Sequence, residues 1–114
     1  MRVLVCGSRH FNDYTKLAEV LDALGPITEI IEGEARGADR LSLDWALCHQ
    51  IPVRKFPAQW DVFGTRAGPI RNHQMLKEGN PDLVVAFLAP DSRGTKHMID
   101  IATKASVPVK VINI

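Results

Sequence analysis

Apolar and polar positions along the chain change their spacing several times, and each change predicts a new element. Short, mostly apolar and β-branched runs predict five strands, at residues 2–6, 27–32, 51–56, 82–88 and 107–114. Between them, apolar residues recur at helical spacing over residues 13–24, 38–49 and 69–78, and again from Met98 to Ala105. Residues 57–69 combine aromatic residues with glycine and proline, which favours an ordered loop.

Strands that alternate with helices are typical of an α/β fold whose parallel sheet is covered on both faces. With 114 residues, of which 46% are apolar, the chain is predicted to form one domain over residues 1–114. Its formal net charge of +1 favours no class of partner, so binding to nucleic acid would need a local basic patch. No apolar run approaches the roughly 18 residues of a membrane helix. Cys6 and Cys48 lie in apolar patterns, which indicates two buried thiols in a cytoplasmic protein.

The loops that follow the strands differ in composition from those that precede them. Parallel sheets bind ligands beyond the carboxyl ends of their strands, where the strand order reverses. Five of the eight arginines fall in or just after these loops, namely Arg9, Arg36, Arg66, Arg71 and Arg93. This asymmetry predicts a single cleft that accepts an anion.

The segment "GEARGAD" after the second strand has the chemistry of an anion site. Gly33 and Gly37 allow a tight turn and a close approach to backbone N–H groups. The helix that begins near Ala38 offers unpaired N–H groups and the positive end of its dipole, and Arg36 adds a forked donor.

The segment "SRGT" repeats this arrangement before the last helix. Gly94 allows close approach, and Ser92 or Thr95 is a candidate donor to a phosphate oxygen. In a sheet of order 3-2-1-4-5, Ser8 and Arg9 would face Gly94 and Thr95 across the crevice.

Each of these residues also has a purely structural interpretation. Asp39 is more often a first-turn helix carboxylate than a catalytic group, and Ser92 or Thr95 is a common helix cap. Trp45 is expected in the core, whereas Trp60 fits stacking on a base and covering the sheet edge equally well. The four histidines have no metal-ligand spacing, so no metal and no cofactor are predicted. The dinucleotide and P-loop glycine patterns are absent.

Four segments in order, "GSRHFND", "GEARGADRLSLDWA", "AQWDVFGTRAGPIRNHQM" and "PDLVVAFLAPDSRGTKHMI", resemble the YspA-like, cpYpsA-related SLOG family, a domain of unknown function in bacteria and phages. The resemblance runs nearly end to end. It implies a Rossmann-like three-layer sandwich with a mainly parallel five-stranded sheet and a pocket for nucleotides or nucleotide-derived ligands. The wider superfamily includes LOG-type phosphoribohydrolases and DprA, which binds single-stranded DNA.

The LOG signature P-G-G-x-G-T-x-x-E is only partly present. Gly94 and Thr95 match its G-T, and "RNHQM" supplies an arginine, Arg71, and a methionine in the earlier motif. The glutamate position holds Met98, which can act as neither acid nor base. A hydrolase of this type would therefore combine Arg71 with Glu34, Asp39 or Asp91.

The leading hypothesis is a module that binds a nucleoside monophosphate or an ADP-ribose-like ligand. A nucleotide N-glycosidase of the LOG type and a DprA-like binder of single-stranded DNA are the alternatives. The superfamily makes a homodimer plausible by analogy, and no membrane association is predicted. The predicted ligand-binding residues are Gly7, Ser8, Arg9, Gly33, Glu34, Arg36, Gly37, Asp39, Trp60, Arg71, Asn72, Ser92, Arg93, Gly94 and Thr95.

Overall fold

The computed structural model describes residues 1–114 and alternates strands with helices, as the sequence pattern predicts. The strands are β1 (Arg2–Gly7), β2 (Glu29–Glu32), β3 (Val53–Lys55), β4 (Leu83–Leu88) and β5 (Val109–Asn113). The helices are α1 (Tyr14–Asp22), α2 (Ala38–Cys48), α3 (Trp60–Phe63), α4 (Ala67–Gly79) and α5 (Arg93–Lys104). A 3-10 turn at Gly64–Arg66 joins α3 to α4.

All neighbouring strands are parallel, and their order is β3-β2-β1-β4-β5. This confirms the α/β prediction, including the strand order. The strand order reverses between β1 and β4, which pair from Val3 opposite Leu83 to Gly7 opposite Phe87. Four consecutive residues are buried in each of these two strands, because helices cover both faces of the sheet. The crevice at their carboxyl ends is the expected ligand position in such a sheet.

Alternate residues of the strands point to opposite faces of the sheet and pack into two separate hydrophobic cores. Val3, Val5 and Ile30 point to the face that α1 and α2 cover, where Trp45 is buried as predicted. Leu4 and Ile31 point to the opposite face, among the buried side chains of α4 and α5. These two cores make the three layers of the sandwich.

Residues 57–69 do not form the predicted loop, because α3, the 3-10 turn and the first residues of α4 lie within them. The apolar pattern gave no signal here, since α3 and the 3-10 turn bury none of their residues. Pro69 is the third residue of α4, where the missing N–H disrupts no bond of the helix.

The apolar pattern places Ala38, Leu41, Trp45 and Cys48 on one inward face of α2, and this prediction is partly wrong. Cys48 is exposed at the end of the helix, whereas Cys6 is buried in the second core, and both thiols are free. The small residues Ser42 and Ala46, which were not predicted on that face, are fully buried, as is Ala38. Ser42 can be buried because its hydroxyl donates to the backbone oxygen of Asp39 at 2.7 Å. The longest helix has 13 residues, and no helix is long and apolar enough to cross a membrane.

Candidate functional site

A cleft of about 620 Å³ opens at the carboxyl ends of β1 and β4. It lies between the loop after β1 and the first turns of α2, α4 and α5. Eleven of the fifteen residues predicted from the sequence line it, namely Gly7, Ser8, Arg9, Asp39, Trp60, Arg71, Asn72, Ser92, Arg93, Gly94 and Thr95.

A second cavity of about 370 Å³ adjoins the cleft beside the loop after β2. Gly33, Glu34 and Arg36 line only this second cavity. Arg9, Ala35, Trp60 and Arg71 line both cavities, so these four residues lie where the two meet. Gly37 lines neither of them.

The first turn of α5 offers two unpaired donors to the cleft. The backbone N–H groups of Gly94 and Thr95 donate no hydrogen bond within the protein. Ser92 does not cap the helix with its side chain, because its hydroxyl accepts from the Ala89 N–H at 3.2 Å. A Cβ atom built on Gly94 would meet nothing within 4 Å, so the approach to these donors is open. Open N–H groups at this helix terminus agree with the geometry expected from "SRGT", and the binding of an anion there stays a prediction.

The first N–H group of α2 is used by the protein itself, whereas those of Asp39 and Arg40 donate no hydrogen bond. The Ala38 N–H donates to the Ser8 backbone oxygen at 3.4 Å. Gly37 adopts a φ of 76°, and a Cβ there would overlap that same oxygen and the Arg9 backbone. The glycine therefore admits the backbone of the loop after β1, and binding of a ligand at the α2 terminus stays a prediction.

Arg71 links the loop after β2 to the cleft. Its Nη1 donates to the Gly33 backbone oxygen at 2.5 Å, and its Nε donates to Asn72 Oδ1 at 3.1 Å. A Cβ on Gly33 would overlap the guanidinium, so this position also accommodates a protein group. Asn72 is buried, and its Nδ2 donates to the Gly94 oxygen at 3.2 Å and to His97 Nδ1 at 3.1 Å. These bonds join α4 to the loop after β2 and to the first turns of α5.

Asp39 is a buried carboxyl group that lines the cleft. Its Oδ2 accepts from the Gly33 and Ala35 N–H groups at 3.1 and 3.3 Å, while its Oδ1 accepts no hydrogen bond. Burial raises the pKa of Asp39 to about 6, although the positive charge of Arg71 and the two N–H donors oppose the increase. Asp39 therefore titrates near neutral pH, beside a cation.

Sequence reasoning missed Glu32, the last residue of β2. Its side chain is fully buried, Oε2 accepts from the Glu34 N–H at 2.6 Å, and Oε1 has no hydrogen-bond partner. Burial and the nearby Glu34 and Asp39 carboxyl groups raise the pKa of Glu32 to about 8, although the Glu34 N–H donor opposes the increase. Glu34 has a φ of 61° and pairs with Lys55 Nζ at 3.6 Å. At neutral pH, Glu32 is thus mostly a neutral acid.

Several cleft residues were not among the predicted ligand-binding residues. His97 is the most informative, because it follows Gly94 by one helical turn and that spacing was available in the sequence. Met98 has no exposed surface and lies in the second core, so the position of the LOG glutamate faces away from the cleft. The other unpredicted cleft residues are Cys6, His10, Ala35, Thr65, Gly68, Pro69 and Met75, and Asp91, which was considered only as a catalytic acid, also lines the cleft. No three histidine, cysteine or carboxylate side chains are grouped to hold a metal ion.

Comparison with known proteins agrees with the resemblance in the sequence. The model of the YspA, cpYpsA-related SLOG family matches residues 1–63. The chain is also similar to the Gene 61 protein of Mycobacterium phage D29, with 34% identity over 117 residues that cover 95% of this chain and 93% of the phage protein. No solved structure matches the chain.

Proposed function

The chain belongs to the YspA, cpYpsA-related SLOG family, and from this premise we propose that it binds a nucleoside monophosphate or an ADP-ribose-like ligand in the cleft. The observation that carries the proposal is the pair of unpaired N–H groups at Gly94 and Thr95, which open into the cleft where Arg71 also lies. A phosphate group matches this combination of helix terminus and guanidinium.

Further arginines favour an anion at this place. Arg9 and Arg93 line the cleft, and both side chains are exposed and available to a ligand. Arg71 has already committed Nη1 and Nε to the protein, which leaves its Nη2 free to donate. A phosphate would thus have donors held in place by the fold, from the backbone and from Arg71, together with the exposed side chains of Arg9 and Arg93.

The remainder of the cleft suits a nucleoside. Its volume of about 620 Å³ lies within the range of small-molecule pockets. Trp60 is half-exposed at the junction of the two cavities and offers a ring face for stacking. Cys6 and Met75 add apolar surface at the cleft wall.

The first experiment is a thermal-shift screen with nucleoside monophosphates, ADP-ribose, NAD, cyclic nucleotides and a short oligo-dT. A ligand at about 100 times its dissociation constant adds about 2.7 kcal/mol of stability, which gives an easily measured shift. Arg71→Ala should weaken the binding of a hit about tenfold to a hundredfold, as expected for a lost hydrogen bond to a charged group. The matched control is Arg54→Ala, because Arg54 donates to the Glu78 oxygen outside both cavities. Equal affinity in the two variants would reject the proposed cleft.

Asp39 supports hydrolysis of an N-glycosidic bond as a second candidate function. A carboxyl group with a pKa of about 6 in a cleft has the protonation behaviour of a general acid. The test is chromatography of each hit for released base, with Asp39→Asn as the variant and its melting temperature as the folding control. Released base that disappears in a folded Asp39→Asn variant would make the protein an enzyme. Intact ligand after prolonged incubation would mean that the protein binds the ligand without hydrolysing it.

A further inference from the structure

The orientation of the Asn72 side-chain amide is fixed by two partners of opposite type. Arg71 Nε can only donate a hydrogen bond, so the Asn72 atom that faces it must be the oxygen. The Gly94 backbone oxygen can only accept, so the atom that faces it must be the nitrogen. The two requirements agree, and they leave the second Nδ2 hydrogen directed at His97 Nδ1.

This geometry determines the protonation state of His97. Nδ1 must accept the hydrogen bond from Asn72, so it carries no proton, and the single ring proton lies on Nε2. A proton on Nδ1 would face the Asn72 N–H group. Rotation of the amide by half a turn would relieve that clash but would place N–H against Arg71 Nε and oxygen against the Gly94 oxygen. Protonation of His97 therefore breaks at least one bond of the network in either arrangement.

We propose that His97 is a positioning residue for the anion site: its neutral imidazole holds Asn72, and through Asn72 it holds Arg71 in the orientation that faces the cleft. His97 lines the same cleft and lies on the helix whose Gly94 and Thr95 N–H groups are unpaired. The network thus aligns the charged donor on α4 with the backbone donors on α5. The consequence for binding deepens the proposed function and rests on it, whereas the protonation state of His97 does not.

The surroundings of His97 oppose its protonation. Burial and the positive charge of a protonated His73, whose ring centroid is 5.3 Å away, lower the pKa of His97, and Asp100 on the same helix opposes this change only in part. The charged and titratable groups on the other elements around the cleft are Arg71 on α4, Asp39 on α2, Arg9 and His10 after β1, and Asp91 before α5, while Arg93 begins the helix of His97 itself.

The affinity for an anion should change with pH in the direction opposite to the one that charge alone would give. A cationic histidine in the cleft would by charge alone strengthen the binding of an anion as the pH falls. Because protonation disrupts the positioning of Arg71, we expect binding to weaken instead. ADP-ribose is the suitable probe, since its bridging phosphates keep their charge between about pH 5 and pH 8, where histidine titrates.

The first test needs no ligand. Long-range proton–nitrogen NMR spectra of the protein labelled with ¹⁵N-histidine should show His97 as the Nε2–H form at neutral pH, with a titration below that of an ordinary histidine. A ring protonated on Nδ1, or a cationic ring at neutral pH, would overturn the proposal whatever the protein binds.

The second test compares two neutral substitutions by ADP-ribose titration across that pH range. In His97→Asn the side-chain oxygen can take the place of Nδ1, so affinity at neutral pH should be retained and the loss at acid pH should disappear. In His97→Leu no acceptor remains, and affinity should fall about tenfold. The control is His49→Gln, at the end of α2 away from the cleft. Equal affinity of the Asn and Leu variants, or wild-type binding that strengthens in acid, would refute the positioning role. Absence of ADP-ribose binding at every pH would count against the proposed function alone, and the NMR result would still decide the state of His97.

Discussion

At the scale of single residues, the glycines of the cleft differ in what surrounds them. A methyl group on Gly33 would overlap the Arg71 guanidinium, whereas one on Gly94 would enter open space. We therefore expect Gly33→Ala to lower the free energy of unfolding by about 1–3 kcal/mol, as overpacked sites do, and Gly94→Ala to leave it unchanged or raise it. Urea denaturation of both variants measures this difference. Coincident unfolding midpoints would show that Arg71 moves aside without cost.

Gly94→Ala also tests whether a nucleotide binds at the first turn of α5. The new methyl group would stand beside the N–H groups of Gly94 and Thr95, which donate to nothing in the protein. A stable Gly94→Ala variant with weakened nucleotide binding would separate the binding role of this glycine from its folding role, in contrast to Gly33.

Glu32 should make the stability of the fold depend on pH. Its pKa is raised from 4.5 to about 8, so the folded state holds a proton that the unfolded state has released at neutral pH. Its contribution is complete below about pH 4.5 and declines as the pH rises towards 8. The free energy of unfolding should therefore fall over this range.

The matched variant for this prediction is Glu32→Gln, which keeps the shape of the side chain and cannot ionise. The free energy of unfolding should be measured by urea denaturation between pH 4 and pH 9. In the variant, its decline above about pH 6 should disappear, because the pKa of Glu32 is about 8 and that of Asp39 is about 6. A decline below pH 6 should persist, because the pKa of Asp39 is also raised, from 3.8 to about 6. Parallel curves for the two proteins would contradict the assignment of Glu32.

At the scale of elements, the strands were predictable and α3 was not. β1 and β4 are continuous apolar runs because both their faces are buried, and such runs are visible in one sequence. Helix α3 buries no residue, so it has no apolar period for a sequence pattern to detect. The inward face of α2 was partly misassigned because Ser42 is buried through a local hydrogen bond that hydrophobicity does not report.

The candidate site likewise has features that the sequence pattern reveals and features that only the fold reveals. The rule that ligand loops follow parallel strands placed most of the predicted residues around one cleft. Contacts between distant segments were not predictable, since Arg71 and Gly33 are 38 positions apart and Asn72 and His97 are 25 apart. Without an assembled fold, nothing in the sequence indicates that the glycine is required by an arginine in α4, several elements after β2.

Helix α3 and the 3-10 turn are the elements most expected to respond to a ligand. They bury none of their residues. Gly64 has a φ of 59°, and no other atom lies where its side chain would be, so it is not held by packing. Their amides should exchange with solvent faster than those of α1, and a bound nucleotide that contacts Trp60 should slow them. Hydrogen exchange with and without saturating ligand tests this, with α1 as the internal control. Unchanged exchange in α3 when a ligand is bound would exclude the contact with Trp60.

At the scale of the whole molecule, positive and negative charges nearly cancel, but the positive charges are unevenly distributed over the surface. The net charge is +1, yet the arginines Arg9, Arg71 and Arg93 line one cleft at the point where the strand order reverses. A local concentration of this kind suits a compact anion that reaches the α5 terminus. A polynucleotide would need a longer basic surface to follow its backbone.

Salt dependence distinguishes these two partners. A single strand that engaged all five arginines of the strand-end loops would show a slope of log K against log salt of about −3.5, at about −0.7 for each phosphate. A nucleotide with one or two phosphates in the cleft should show a slope no steeper than about −1 to −2. Titrations of ADP-ribose and of oligo-dT over the same salt series measure both slopes. Oligo-dT binding with the steep slope, and no nucleotide binding at low salt, would make single-stranded DNA the partner, because only a multivalent polyanion releases that many counterions at once.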